Sequence, residues 1–276
     1  MKITKMHGLG NSQIIVEDFD ESLEGETNLS YNQIARALCH PNFGVGSDQM
    51  LILLPSQKAD FRMRIFNKDG GEAEMCGNGI RCVARYLYDS GKAGERLTIE
   101  TKGGLKTLHV SEEDGDTSIR VDMGKGELLE EEKKVQGFKG SFVSVGNPHF
   151  VIFTEEASKE MALEEGPGLE EADEFMPDKA NIEFADIVSP EKIKTYVWER
   201  GAGLTLACGT GACATAFAAR KKGSVEPEVQ IHLLGGTLRI KIDDDNRIWM
   251  TGPAEYVLEG EVSDVPCIYS NVKNLE

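Results

Sequence analysis

The chain repeats itself. A shift of 132 positions carries Cys76 onto Cys208, Gly77 onto Gly209, Gly79 onto Gly211, Gly91 onto Gly223, Ile99 onto Ile231 and Gly103-Gly104 onto Gly235-Gly236. Glycines that coincide at one offset across about thirty residues mark a duplicated supersecondary unit. Two copies of one unit restrict the fold to two similar halves, facing each other across a pseudo-twofold axis. Polar positions follow the same rule. Gln49 falls on Asn181 and Asn67 on Glu199, while Gly10-Asn11 matches Gly146-Asn147 at an offset of 136.

Local patterns agree in both copies. Ala59 to Phe66 and Ile193 to Arg200 alternate apolar and polar residues, which predicts half-buried strands upstream of each cysteine. A helix follows each cysteine: Ile80 to Tyr88 in the first copy and Ala212 to Lys222 in the second. Gly91 and Gly223 stand where a helix C-cap glycine belongs, and Lys221 and Lys222 suit the negative end of the dipole. The second helix is small or apolar nearly all round, so it should be buried on most sides. Strands follow at Leu97 to Thr101 and Val229 to Leu233. The expected fold class is therefore α/β, with two pseudo-symmetric halves, each a set of strands wrapped around one buried helix. A boundary near residue 118, beside the turn-rich run from Ser111 to Asp116, divides the chain into 1–117 and 118–263.

Composition narrows the function classes. The 276 residues are 40% hydrophobic and 28% charged, which suits a globular protein that needs no disulfides for its cores. The net charge of −17 offers no electrostatic footprint for nucleic acid and argues against an anionic membrane surface. The run Met50 to Pro55 is too short to cross a bilayer, and the first residues lack a signal-peptide core. A cytoplasmic location is expected, and the six cysteines should then be reduced thiols. Their spacings include no C-x-x-C pair, which argues against zinc and any other metal. Cys39, Cys82, Cys213 and Cys267 read as small buried hydrophobes. The glutamate-rich runs Leu128 to Lys134 and Leu163 to Glu174 read as solvated surface.

Cys76 and Cys208 differ from the other four because each precedes a Gly-x-Gly turn that opens a helix. A helix N-terminus presents unsatisfied N–H groups and positive potential, so it should lower a thiol pKa there and bind a carboxylate. Two halves face to face would set two thiols on either side of one carbon. One thiolate could remove a proton while the opposite thiol delivers one, inverting a stereocentre. The helix ends would stabilise the enolate-like charge on the carboxylate as an oxyanion hole does.

These residues lie in longer motifs. Asn67-Lys-Asp-Gly-Gly-Glu-Ala-Glu-Met-Cys-Gly-Asn-Gly-Ile-Arg-Cys and Glu199-Arg-Gly-Ala-Gly-Leu-Thr-Leu-Ala-Cys-Gly-Thr-Gly-Ala-Cys resemble the two signatures of the diaminopimelate epimerase family. Lys5-Met-His-Gly-Leu-Gly-Asn, Gly44-Val-Gly-Ser-Asp-Gln, Gly146-Asn-Pro-His and Asn181-Ile-Glu-Phe match as well. The resemblance covers almost the whole chain. It implies two barrel-like β-sheets, each around a central helix, with the tail 264–276 returning to the first. It implies conversion of LL-2,6-diaminopimelate to the meso form without pyridoxal phosphate or another cofactor, in lysine and cell-wall precursor synthesis, by a homodimer. By resemblance Cys208 is the proton acceptor and Cys76 the donor. Gly77-Asn78 and Gly209-Thr210 hold the reacting carboxylate. Asn11, Asn67, Asn147, Asn181 and Arg200, with Gln49 nearby, read the distal amino-acid end. Glu199 and His149 hold the reacting groups and tune the thiols.

Two alternatives compete. A proline racemase or hydroxyproline epimerase shares the cysteine pair, but that family carries a His where this chain has Asn78. A thiol-switch protein could oxidise two facing cysteines to a disulfide.

Overall fold

A computed structural model describes residues 1–113 and 115–275. Contacts divide the chain into two compact units, Met1–Ile119 with the segment from Pro253 onward, and Arg120–Gly252. Within the run expected to hold the boundary, Asp114 lies outside the described residues.

In the first unit the strand Lys2–Gly8 lies antiparallel to Glu255–Glu261 on one side and to Asn11–Glu17 on the other. Asn11–Glu17 then pairs parallel with Gln49–Leu54, which pairs antiparallel with Phe61–Asn67. Phe61–Asn67 pairs parallel with Arg96–Thr101, and that strand antiparallel with Gly104–Glu113. The second unit repeats the order strand for strand. Phe138–Ser144 lies antiparallel to Glu127–Val135 and to Pro148–Phe153. Pro148–Phe153 is parallel to Asn181–Ser189, which is antiparallel to Lys192–Glu199. Lys192–Glu199 is parallel to Glu228–Leu233, and that strand antiparallel to Gly236–Ile242. The fold is mixed α/β and mostly sheet, as the duplicated pattern requires.

Each parallel pair needs a crossover, and helices supply it. Tyr31–Cys39 begins at a Ser30/Gln33 capping box and buries Ile34, Ala35 and Leu38 against the strands. Lys159–Glu170, capped by Ser158, plays that part in the second unit and buries Ala162 and Leu169. The other two crossovers are the helices predicted after the cysteines, Gly77–Asp89 and Gly209–Lys221. Each contributes fully buried side chains, such as Ile80, Val83 and Leu87 or Ala214, Phe217 and Ala218. Burying a side chain of Val or Leu size contributes about 1.5–3 kcal/mol, so these stripes hold the helices to their sheets. Both end as predicted. Gly91 and Gly223 take φ of 69° and 70°, and their N–H groups donate to Tyr88 O and Arg220 O.

Two expectations are corrected. Cys267 is exposed, not buried, because it lies on the outer side of the short helix Val265–Lys273, where its N–H meets the Asp264 cap. Glu170, inside a glutamate-rich run read as surface, is buried; it accepts from Trp198 Nε1 at 2.8 Å and Gly201 N at 3.0 Å. Among the described residues no helix is long and apolar enough to cross a membrane.

Candidate active site

Cys76 and Cys208 are themselves the N-caps. Cys76 has extended backbone angles of −140° and 112°, Cys208 of −111° and 111°, and the helices start at the next residue. Each sulfur accepts from the N–H three residues on, Gly79 at 3.2 Å and Gly211 at 3.3 Å. The second glycine of each Gly-x-Gly pattern is explained by packing. A Cβ at Gly79 would meet Leu51 Cδ1 at 3.2 Å and Gln13 Oε1 at 3.3 Å. One at Gly211 would meet Glu183 Oε1 at 3.0 Å and Val197 Cγ1 at 3.2 Å. Only glycine lets the first turn come this close to the strand beneath it.

Around Cys76 the first unit gathers neutral amides. The thiol faces Asn11 Oδ1 at 3.7 Å and Gln13 Nε2 at 4.0 Å. Gln13 Nε2 also donates to Asn11 Oδ1 at 2.6 Å, and Asn78 Nδ2 reaches the same oxygen at 3.4 Å. Asn11 Nδ2 donates to Asp48 Oδ2, which also takes Ser12 N and Oγ. The fully buried Arg81 donates to Gly77 O, Asn78 Oδ1 and Pro253 O, so it braces the turn after the cysteine. Gln49 Nε2 donates to Asn67 Oδ1 at 2.8 Å across directly opposed strand positions.

Around Cys208 the second unit gathers ionisable groups. Thr210 Oγ1 lies 3.5 Å from the sulfur. Thr205 Oγ1 donates to Glu199 Oε1, and the Cys208 thiol is turned to the same carboxyl. Burial pushes the half-buried Glu199 upward from its ordinary range, against the pull of Thr205, Cys208 and the His149 charge. His149 and Glu183 are wholly buried and 2.6 Å apart. Asn181 spans two backbones, donating to Pro148 O and accepting from Arg200 N, while the Arg200 guanidinium reaches Asp178 O.

The expected lowering of the Cys208 thiol pKa does not hold. Burial is the largest effect and pushes it well above the ordinary value, with the Glu199 charge adding to it. Thr210 and the Gly211 N–H pull the other way and are outweighed. A helix N-terminus supplies hydrogen bonds, but a dry pocket beside a carboxylate costs more.

The structure groups Asn11, Asn78 and Cys76; Gln49 and Asn67; Asn147 and His149; Asn181 and Arg200; and Glu199, Thr210 and Cys208. Gly77 and Gly209 open the two helices. Sequence reasoning missed Gln13, Arg81 and Glu183. Gln13 was findable, because at the offset of 136 that aligns Asn11 with Asn147 it falls on His149. Glu183 lay inside the quoted Asn181-Ile-Glu-Phe motif, and only its burial against His149 marks it.

A family model described as diaminopimelate epimerase matches residues 3–129 and 141–257. A protein of that name from Desulfitobacterium hafniense is 46% identical over 278 residues, covering 94% of this chain and 97% of its own. Another from Methanococcus maripaludis is 43% identical over 281 residues, covering 95% and 99%. Among solved structures, a hydroxyproline epimerase from Agrobacterium vitis with bound trans-4-hydroxy-L-proline matches with a TM-score of 0.72 at 17% identity, covering 98% and 94%. A phenazine biosynthesis protein from Bacillus anthracis matches with a TM-score of 0.70 at 18% identity, covering 95% and 99%. At such identities these two show a shared fold.

Proposed function

The chain belongs to the diaminopimelate epimerase family, and on that premise we propose that it inverts one α-carbon of LL-2,6-diaminopimelate to give the meso form, using Cys76 and Cys208 as acid and base. The observation that carries this reading is the duplicated cap. Each thiol ends a strand connection and accepts an N–H from the first turn of its own helix.

The reaction needs the two sulfurs on opposite faces of one carbon. In the LL-to-meso direction the Cys208 thiolate takes the α-proton, and the C–H electron pair moves into the carboxylate as an enolate-like charge. The N–H groups at Gly77-Asn78 and Gly209-Thr210 stabilise that charge. The Cys76 S–H then protonates the opposite face, leaving Cys76 as thiolate and Cys208 as thiol. Glu199 takes up the proton that Cys208 gives away on binding, which removes one of the charges that raise the thiol pKa. Asn11, Asn67, Asn147, Asn181 and Arg200, with Gln49 behind Asn67, hold the distal amino and carboxylate groups. Pyridoxal phosphate is not part of this scheme, because the charge is held by the two helix ends.

Incubation with LL-diaminopimelate in D₂O under reducing conditions tests the reading. Deuterium should enter one α-carbon as the meso form appears. Absence of deuterium sinks it, and exchange into proline or 4-hydroxyproline instead moves the activity to the racemases of this fold. Formation of a Cys76–Cys208 disulfide on mild oxidation, with loss of activity reversed by reductant, supports the facing arrangement. The same reading includes a homodimer in the cytoplasm, checked by sedimentation and by cell fractionation.

A further inference from the structure

His149 lies between two oxygens. Nδ1 is 2.6 Å from Glu183 Oε1 and Nε2 is 3.0 Å from Asn147 Oδ1. An amide oxygen only accepts, so Nε2 carries a proton. A carboxyl and an imidazole nitrogen at 2.6 Å share one more, whether it rests on Nδ1 or on Oε1. The pair as a unit therefore holds both protons and no net charge. That is the affordable state for two wholly buried groups, since a lone buried carboxylate costs several kcal/mol, on the order of its desolvation penalty. Glu183 Oε2 has no partner among the described residues, so nothing else neutralises this carboxyl.

The consequence falls on Asn147. With Oδ1 given to His149, its Nδ2 is left to donate outward. Were Nε2 to lose its proton, Asn147 would turn its amide over to donate to the bare nitrogen, and would present an oxygen instead.

Two other asparagines have the same polarity fixed by different means. Asn11 Oδ1 accepts from Gln13 Nε2 at 2.6 Å, and Asn67 Oδ1 from Gln49 Nε2 at 2.8 Å. Strand register shows that Gln13 and His149 are equivalent, because Gln13 opposes Gln49 while His149 opposes Asn181. Likewise Leu51 opposes Ile15 where Glu183 opposes Val151. An amide donor keeps its N–H at any pH. A histidine donor keeps its Nε2–H only if Nδ1 is occupied by a proton or faced by a donor.

We propose that Glu183 is a positioning residue that keeps both protons on the His149 pair, and thereby locks the Asn147 amide with its N–H group outward to select a carboxylate over an ammonium group. The proposal rests on the reading of Asn147 as a substrate-binding residue. The groups acting on the pair in this unit are Asn147, which takes Nε2–H, and Glu199, whose charge is felt by Glu183 and in turn feels His149. Cys208 lies beyond Glu199 and also feels Glu183. Burial pushes the Glu183 carboxyl up, against the pull of the His149 contact.

Glu183→Leu tests this through KM. It leaves Nδ1 with no side-chain partner at 183, so the single proton of the neutral ring is no longer confined to Nε2, and the KM for diaminopimelate should rise by about three- to tenfold, one hydrogen bond's worth. Glu183→Gln should keep KM near wild type, because its amide N–H donates to Nδ1 and leaves the ring proton on Nε2. In parallel the ¹⁵N shift of His149 Nε2 should show N–H character in the wild type and in Glu183→Gln and lose part of it in Glu183→Leu. The double variant His149→Gln/Glu183→Leu installs the side chains found at positions 13 and 51. Its KM should return towards wild type, even where kcat is lowered. A purely structural Glu183 would lower thermal stability in Glu183→Leu and leave KM and the nitrogen shift unchanged, which overturns the proposal. A double variant with the same raised KM as Glu183→Leu overturns it too. Wild-type protein without diaminopimelate turnover is a failure of the functional reading, and the nitrogen shifts then decide the proton assignment separately.

Discussion

The two thiol sites share a backbone and differ in charge. Under the first turn of the Cys76 helix lie Gln13 and Leu51; under that of the Cys208 helix lie Glu183 and, bonded to it, His149. Asn67 stands where the second copy has Glu199. The helix brace differs as well, since the buried Arg81 corresponds to the buried Cys213. Duplication thus fixed the geometry twice, and later divergence left amides beside one thiol and a carboxyl beside the other. In a given direction one sulfur must accept a proton while the other donates one, and the reverse direction exchanges the roles. A carboxyl beside Cys208 and amides beside Cys76 fit Cys208 as acceptor and Cys76 as donor for the LL substrate.

The largest test separates the two roles. Cys76→Ala and Cys208→Ala should each lower epimerisation by about a thousandfold or more, the upper range for general acid–base groups. Their exchange behaviour should differ. Cys76→Ala keeps Cys208 and should still wash deuterium into the LL substrate with retention, whereas Cys208→Ala should lose that exchange. Mass spectrometry of recovered LL substrate reads the difference, and the opposite pattern reverses the polarity of the pair.

Next in size is thiol reactivity. The raised Cys208 pKa keeps it protonated at neutral pH in the ligand-free protein. Its alkylation rate should rise about tenfold per pH unit and show no plateau at pH 9, where an ordinary thiol near 8.5 levels off. Iodoacetamide labelling followed by peptide mapping measures this, and a plateau below pH 9 would show that the Gly211 N–H outweighs burial after all. The sign also sets a stability trend. A thiol whose pKa is higher folded than unfolded favours the native state less as pH rises above the unfolded value. Cys39 and Cys82, pushed up to about 12 by burial, act in the same sense, so thermal stability should decline above about pH 9.

Arg81 offers a comparison of bracing. Arg81→Met removes donors from Gly77 O, Asn78 Oδ1 and Pro253 O and should cost about 2–4 kcal/mol, since buried acceptors lose their partners. Cys213→Val, at the equivalent position in the other copy, should cost under about 1.5 kcal/mol as a near-isosteric core change. Urea denaturation of both variants checks the ordering.

Much of this is legible in the sequence. The offset of 132 found the two helices, their capping glycines and the strands on either side, because periodicity and turn chemistry are local properties. Cys76 and Cys208 stood out since symmetry and a glycine turn both mark them. What stayed hidden depends on burial. The thiol pKa was misjudged because the helix N-terminus is visible in sequence and the dry pocket is not. Gln13, Arg81 and Glu183 look like ordinary polar residues of strands and a helix, and they acquire meaning only when they are found fully buried against Asn11, Asn78 and His149. Cys267 reads as core by residue type, yet it falls on the outer face of a helix too short to reveal its period.

The smallest expected difference lies in the glycines that let each helix approach its sheet. A methyl at Gly79 would press on the end of Leu51 and on Gln13 Oε1, at 3.2 and 3.3 Å. Leu51 is a flexible apolar side chain that can shift by a few tenths of an ångström. A methyl at Gly211 would press on Glu183 Oε1 at 3.0 Å, and that oxygen is held by His149. Gly211→Ala should therefore cost about 2–3 kcal/mol and Gly79→Ala about 1 kcal/mol, within the range for overpacking. Gly211→Ala should also disturb the KM of the substrate more than Gly79→Ala does, because displacing Glu183 releases His149 and with it Asn147. Equal stability loss with unchanged KM in both would show that the two copies are braced alike, and that the charged pair under Cys208 is insensitive to the helix above it.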